Sequence, residues 1–408
     1  MTGLAGARPP GHERPRRIRT PGVENPVRLR RRSPFLATVS HRLGVGENER
    51  TKNAKLLIVS LVLVAAVVVL ASAALLPDDE EPAAGCARFA GPAGDDDSPG
   101  TQSRPFETAQ RLASSLEAGE IGCLRGGRYR APAGDVVVEF DRGGRPRRPL
   151  TLRSYPGERA TLVGVVTVLE GSDHVTLAAL DFEGTGGSNT VKIYAGDVVV
   201  EDSTITKLGR GDSCMILGSN SGDGQAARVV VRRNRFHDCG SAAHGNKDHG
   251  IYAQNVLEGE IVGNVFWNSA AYAIQLYPNS QRTRFAHNVV DGDAPSVRGG
   301  VLFGGDETYA SSDNVVERNV IAYAQTYNVT STWSGAVGSG NVARDNCLWA
   351  GTDGEIETSE GGFSANGNTV ADPLFVNRRE RDYRLRRDSP CRRIVGYDAA
   401  AELRTSSR

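Results

Sequence analysis

The sequence predicts an all-β fold, a parallel β-helix of stacked coils, on three observations. First, the pattern apolar-x-x-Asn-x-apolar recurs, around Asn234, Asn264, Asn288 and Asn319, and with a weaker first position around Asn346. Second, versions with Leu180 and Ser203 in the Asn place extend the series at intervals of 23, 31, 30, 24, 31 and 27 residues from Leu180 onward. Units of this length cannot bury an apolar face alone and must stack. Third, apolar residues alternate within short runs rich in Val, Ile, Phe and Thr, punctuated by Gly and Asn. Helical hairpins would instead place them at i, i+3, i+4 and i+7.

The elements follow in order along the chain. Residues 1–55 hold 13 Arg or Lys against 4 Glu, with many Pro and Gly, and are expected to form a disordered basic tail. Leu56 to Leu76 is a run of 21 uncharged residues, enough for a transmembrane helix of about 30 Å. Basic residues precede it, and Asp78, Asp79, Glu80 and Glu81 follow. The positive-inside rule then places the N-terminus in the cytoplasm and the rest outside, as a single-pass signal anchor of the cell membrane. A cleavable signal ending at Ala71-Ser-Ala73 is the alternative. Residues 77–85 read as a linker, 86–397 as the β-helix domain and 398–408 as a disordered tail.

A β-helix exposes sheet edges at both ends, and these need cover. Phe106, Ala109, Leu112, Ala113 and Leu116 fall at helical spacing. They predict an amphipathic capping helix over 105–116, begun by Ser103 or Thr101 and ended by Gly119. In the coils, Asn suits tight bends because it tolerates the left-handed region and bonds locally, and stacked amides bond from coil to coil. A second alignment sets Ile193, Ile216, Ile251, Ile274 and Val301 inside. Tyr194, Leu217, Tyr252, Gln275 and Leu302 then face outward on one sheet. Some eight to ten coils at about 4.8 Å make a rod of roughly 40–50 Å. Past Asn346 the repeat decays into Asp372-Pro-Leu-Phe-Val376 and Asp382-Tyr-Arg-Leu385, which reads as a C-terminal closure.

All six cysteines follow the apolar run, which suits disulfides in an oxidising compartment. Sequence neighbours suggest Cys86–Cys123, Cys214–Cys239 and Cys347–Cys391. No Cys-x-x-Cys spacing points to zinc. The formal net charge is zero, which gives no global electrostatic case for nucleic acid.

Several segments carry a family resemblance. Cys86 to Thr101, Pro105-Phe-Glu-Thr and Leu124-Arg-Gly-Gly-Arg-Tyr129 resemble the opening segment of right-handed parallel β-helix proteins of the pectate-lyase-like superfamily. Lys247-Asp-His-Gly-Ile-Tyr252 and Ala273-Ile-Gln-Leu-Tyr277 resemble their central coils. Asp372-Pro-Leu-Phe and Asp388-Ser-Pro390 resemble their C-terminal segment. The resemblance covers about residues 86–397 and implies a right-handed single-stranded helix. Such proteins include polysaccharide lyases, uronan epimerases, glycoside hydrolases, esterases and non-catalytic members, so it does not choose an activity.

The densest polar cluster is His244-Gly-Asn-Lys247-Asp248-His249-Gly-Ile-Tyr252. Similar proteins that cleave uronic-acid polymers hold them along an outer sheet groove. β-Elimination needs a base for the C5 proton and a partner for the neighbouring carboxylate. Lys247 or His249 is the candidate base, and Tyr252 the donor to the leaving oxygen. Asp248 is a Ca²⁺ ligand or the group that orients His249. Asp306, with Asp202 and Asp212, would supply further oxygen ligands. An epimerase also needs an acid on the opposite ring face, from Tyr252 or His244. Tyr194, Gln275 and Tyr277, with Tyr252, would form a sugar-stacking track. The same residues also read structurally: His249 as a core histidine on an inward strand position, the outer aromatics as cross-strand pairs. No paired-carboxylate hydrolase motif is present.

The functional expectation is a membrane-anchored extracytoplasmic β-helix engaging polysaccharide, as a uronan lyase or C5-epimerase. A non-catalytic module binding glycan or a protein partner is the alternative.

Overall fold

The computed structural model describes residues 85–293 and 296–395. The expected basic tail, transmembrane helix, linker and C-terminal tail lie outside these residues, apart from Gly85 at the linker's end. Among the described residues no helix is long and apolar enough to cross a membrane.

The chain winds as a right-handed parallel β-helix. Each full coil gives one strand to each of three sheets in turn. The first sheet runs from Arg88–Ala90 to Phe363–Asn366, and the second from Gly127–Arg130 to Thr369–Val370. The third runs from Val136–Phe140 to Gly354–Ile356. Alternation along each strand sends one residue inward, and parallel register stacks these into columns. In the first sheet Leu177, Val200, Val231, Ile261, Phe285 and Val316 are in register. In the second, Phe182, Ile205, Phe236, Phe266, Val290 and Ile321 are. All are buried, and the Phe236 and Phe266 rings stack 4.8 Å apart.

The recurrent asparagines form one buried row at the bend from the first sheet to the second. Asn288 is typical. Its Nδ2 donates to Ile261 O at 2.9 Å and Asn319 Oδ1 at 3.1 Å. Its Oδ1 accepts from Asn264 N at 2.8 Å and Asn264 Nδ2 at 3.0 Å. The same bonds link Asn234 to Asn264, Asn319 to Asn346, and Asn346 to Asn368. The left-handed residue at each bend is the one before the amide: Arg233, Gly263, His287, Arg318, Asp345 and Gly367. The amides themselves act through side-chain bonding between coils. A second amide row, unmarked in the sequence reading, sits at the bend into the first sheet. There Asn341 Oδ1 accepts from Asn314 N and Nδ2.

The inside alignment expected for the third sheet holds for Ile193 and from Ile251 onward, and fails at Ile216. Ile251 pairs with Ile274 and Ile274 with Val301, but Met215, not Ile216, pairs with Ile251. Leu217 is therefore inward and fully buried, and Ile193 pairs with it. Ile216 takes the outward place expected of Leu217. A one-residue slip reverses every face, and because Met215, Ile216 and Leu217 are all apolar, composition alone does not fix which of them faces inward.

The N-terminal helix, α1, spans Ala109–Ser115. Thr108 caps it, its side chain accepting from Arg111 N, and the helix ends at Leu116. It is shorter than expected because Asp96 fixes Glu107 N and Thr108 N outside the helix. Gly122 stands in the inward column that Leu152 occupies one coil later. A Cβ there would lie 2.8 Å from Leu116 and 3.1 Å from Leu112, so the helix's leucines fill that place.

The C-terminal segment does not close the end of the rod. It lies back along the outer face of the second sheet, where Tyr383, Leu385, Cys391 and Val395 cover Val265, Val289, Val320 and Cys347. Asp291, its side chain fully buried, latches it. The carboxylate takes Arg378 at 2.8 Å, Arg381 at 3.4 Å and the Tyr383 hydroxyl at 2.7 Å. The final helix, α2 (Cys391–Val395), brings Val395 O to His287 Nδ1 at 2.9 Å. The three expected disulfides are all formed.

Two outcomes follow for stability. Asn288→Ala removes four hydrogen bonds and strands buried amides. It should cost roughly 2–4 kcal/mol by denaturant titration, against under about 0.5 for the exposed Asn366→Ala. Asp291→Ala should free the C-terminal strap at a cost of roughly 3 kcal/mol. Trypsin should then cut between Arg378 and Arg387 well before it cuts the coils.

Candidate functional site

The outer face of the third sheet carries the row Thr167, Lys192, Ile216, Tyr252, Gln275, Leu302 and Thr330, one residue per coil. Ile216, Gln275, Leu302 and Thr330 are buried, so they form a floor below flanking turns, whereas Lys192 and Tyr252 are partly open.

Tyr252 is where the expected residues converge. Burial pushes its phenol up to about 12, and Tyr277 and Asp306 add to the shift, while a hydrogen bond with Gln254 opposes it. Tyr277 is raised likewise by burial and Asp306, against a bond with Ser334. Its ring lies over Gly304, where a Cβ would meet Cδ2 at 2.7 Å. Asp306 Oδ1 accepts from Thr308 N at 2.8 Å and Tyr309 N at 2.7 Å, which holds the carboxylate at the trailing edge of the sheet. Tyr252, Tyr277 and Asp306 thus form one cluster, with Gln275 beside Tyr252 on the floor. Tyr194 is not part of it. It lies beyond the Val191–Ile193 strand, off the outward row, and its phenol is raised to about 12 by burial and by Asp223.

The polar turn before Tyr252 is arranged differently from expectation. His249 is 1% exposed, and its Nδ1 accepts from Tyr272 N at 3.3 Å. Its ring stacks near-parallel on Tyr272 and is tilted against Tyr252, with centroids 6.0 and 5.6 Å apart. Burial drives its pKa down to about 3. His249 is therefore a neutral core histidine, sealed from any substrate proton. Asp248 orients His244 rather than His249: its Oδ2 accepts from Ser241 N at 2.8 Å and meets His244 Nδ1 at 2.9 Å. His244 and Lys247 are exposed on that turn, and neither is among the groups that act on the Tyr252 phenol.

Asp248 precedes its strand while Asp306 follows its own, so the two carboxylates stand at opposite edges of the sheet and do not fit one Ca²⁺ site. Among the described residues no three His, Cys, Asp or Glu side chains group as metal ligands.

Three residues here went unranked in the sequence reading. Lys207 is fully buried, its Nζ donating to Ser188 O. Burial lowers its pKa, and Asp212 and Asp248 oppose the shift. The scarcity of lysine was its only signal. Tyr272 and Arg298 line the leading edge of the sheet, and no motif marks them. A separate cleft of about 630 Å³ opens at the corner of the first and second sheets. Its carboxylates are engaged in ion pairs, Glu158 with Arg125, Asp181 with Arg159 and Asp202 with Arg233.

The His249 geometry has a pH consequence. Its folded pKa is depressed below the ordinary 6.5, so its contribution is whole above about pH 6.5 and is lost as pH falls toward 3. Between those limits wild-type stability should fall by up to about 1.4 kcal/mol per pH unit from this group. His249→Gln should flatten the acid limb by that amount, measured by urea titrations from pH 7 to 4.

Comparison with known proteins places the fold. No curated protein matches the chain in sequence. Among solved structures it resembles pectate lyase Pel9A at 13% identity and TM-score 0.52, covering 74% of this chain and 90% of that one. It resembles a rhamnogalacturonan lyase at 14% identity and TM-score 0.51, covering 71% and 90%. At such identity the likeness is one of fold. The sequence model of the right handed beta helix region matches residues 164–371. That span holds both amide rows and the whole Tyr252 cluster, and the chain belongs to the right-handed β-helix family.

Proposed function

We propose that the outer face of the third sheet is a polysaccharide-binding groove. The convergence of Tyr252, Tyr277 and Asp306 beside a floor of Ile216, Gln275, Leu302 and Thr330 carries this reading. Aromatic rings offer sugars a flat apolar face, and a few fixed polar groups orient them. The two lyases of the same fold, one of pectate and one of rhamnogalacturonan, lend support. In this reading the β-helix is displayed outside the cell and anchored by residues 56–76; three formed disulfides suit that compartment.

The protonated Tyr252 favours a second reading, in which the groove turns its ligand over at a uronic acid. Its phenol carries a proton at neutral pH that it can hand to a departing oxygen, although burial, which raises it to about 12, weakens it as an acid. In β-elimination a base takes the C5 proton, the C4–O bond breaks, and Tyr252 protonates the departing oxygen. Returning a proton to C5 from the opposite face gives epimerisation instead. With His249 sealed, Lys247 and His244 on the neighbouring turn remain the candidate bases.

The test is incubation of the full-length chain with a panel of uronans, with and without Ca²⁺. Absorbance of unsaturated product, NMR of C5 stereochemistry and direct binding are followed. A lyase or epimerase should lose about 100-fold or more activity in Tyr252→Phe with unchanged melting. Binding without conversion leaves a glycan-binding module. Absence of both binding and conversion removes the groove proposal.

A further inference from the structure

The C-terminal strap carries a charge opposite to that of the coils it lies on. Residues 377–393 hold eight Arg and no Lys against Glu380, Asp382 and Asp388. Residues 85–376 hold 25 Lys or Arg against 35 Asp or Glu. The formal net charge of zero hides this separation. The latch engages Arg378 and Arg381, which reach Asp291 and Asp293 on the coils. Arg384 pairs with Asp382 and Arg386 with Asp388, both within the strap. Arg379, Arg387 and Arg393 are exposed and form no ion pair or hydrogen bond among the described residues, so holding the strap down does not explain them.

The strap presents these charges on a fixed support. Tyr383, Leu385, Cys391 and Val395 pack on the second sheet, and Cys347–Cys391 ties the end down. Arg379, Arg381, Arg386, Arg387, Arg392 and Arg393 stay exposed. They follow one another from the turn Arg378–Glu380, past the strand Asp382–Leu385, to α2. Val376, between the packed Phe375 and that turn, is 47% exposed. A compact anion meets two or three guanidinium groups. A row this long suits a surface that carries many phosphates. Arginine forks match phosphate oxygens, and polybasic segments are drawn to anionic leaflets. An exposed aliphatic side chain beside them enters the headgroup layer.

We infer that this side of the strap docks on an anionic lipid bilayer, its arginines on the headgroup phosphates. The site lies on the second sheet, apart from the groove on the third, and rests on the reading above only for the bilayer beside the molecule. The acidic coils orient the contact, because an anionic surface repels them and attracts the strap. The support is already in place, so little ordering is needed on contact. Salt weakens such an interaction.

The experiment follows the reaction of arginines with phenylglyoxal, peptide by peptide in a mass spectrometer, on the full-length chain with vesicles. Neutral phosphatidylcholine vesicles are compared with vesicles that also contain phosphatidylglycerol. Arg147, exposed in the loop before the strand Leu150–Ser154, is the internal reference. Arg379, Arg387 and Arg393 should react about fivefold or more slowly on the anionic vesicles, with Arg147 unchanged, and high salt should restore their rate. In the triple variant Arg379→Gln, Arg387→Gln, Arg393→Gln, melting should be unchanged and Arg386 should react equally fast on both vesicles. Equal wild-type rates on both, with the chain vesicle-bound, overturn the inference and leave the anchor and the groove in place. Failure of the wild type to bind neutral vesicles removes the anchor; slowing on anionic vesicles alone then still supports the strap. Slowing on both vesicles alike, insensitive to salt, overturns the electrostatic contact. Slowing by a dissolved oligonucleotide as great as by anionic vesicles, at equal phosphate, makes the partner a free polyanion and overturns the bilayer.

Discussion

The buried amide row at the bend between the first and second sheets is the constraint on which the rest depends. Each coil must turn sharply there, and in most coils the turn places a non-glycine residue such as Arg233, His287 or Arg318 in the left-handed region, with Gly263 and Gly367 in the others. That conformation is unfavourable for most side chains. The following Asn repays it by bonding backbone and side chain of the neighbouring coils. Because each amide meets the next at a fixed depth, the row also sets register. Register in turn decides which residues of the third sheet face solvent.

The three sheets then meet different fates. The first displays arginine–carboxylate pairs between coils, such as Arg232 with Glu201 and Arg344 with Glu317. The second is covered over its later coils by the returning C-terminal segment, latched through Asp291 and stitched by Cys347–Cys391. The third keeps its outer row as a mostly buried floor between two lines of turns, with Lys192 and Tyr252 partly open. Its aromatic and polar groups are held from below: Cys214–Cys239 ties the coil of Lys207 to the coil of Asp248, and His249 fills the core behind Tyr252.

Much of this was legible in the chain. The Asn period announced the coils, and cysteine proximity announced the bridges. The central strands from Ile251 onward showed their faces because isoleucine recurs at one parity. The earlier strands hid theirs, since Met215 and Ile216 are both apolar and only pairing tells them apart. His249 was ambiguous for the same reason: composition marks it as chemistry, while parity buries it. The C-terminal segment misled because Tyr383 and Leu385 pack on a sheet flank, which no local pattern can distinguish from packing on an end. Arg298 was silent, for a buried Nε without a partner is visible only once its neighbours are in place.

The amides of the row all point one way. From Asn234 to Asn346 each Oδ1 receives from the preceding coil, and each Nδ2 gives forward to the next amide oxygen and back to a carbonyl of the preceding coil, so each turn offers its neighbours the same set of sockets. Such a turn is an interchangeable part. A whole turn can be inserted or deleted without leaving a broken joint, whereas a fraction of one cannot. The molecule can therefore lengthen or shorten only in complete steps of about 4.8 Å, and any surface running parallel to its axis is graduated in the same unit.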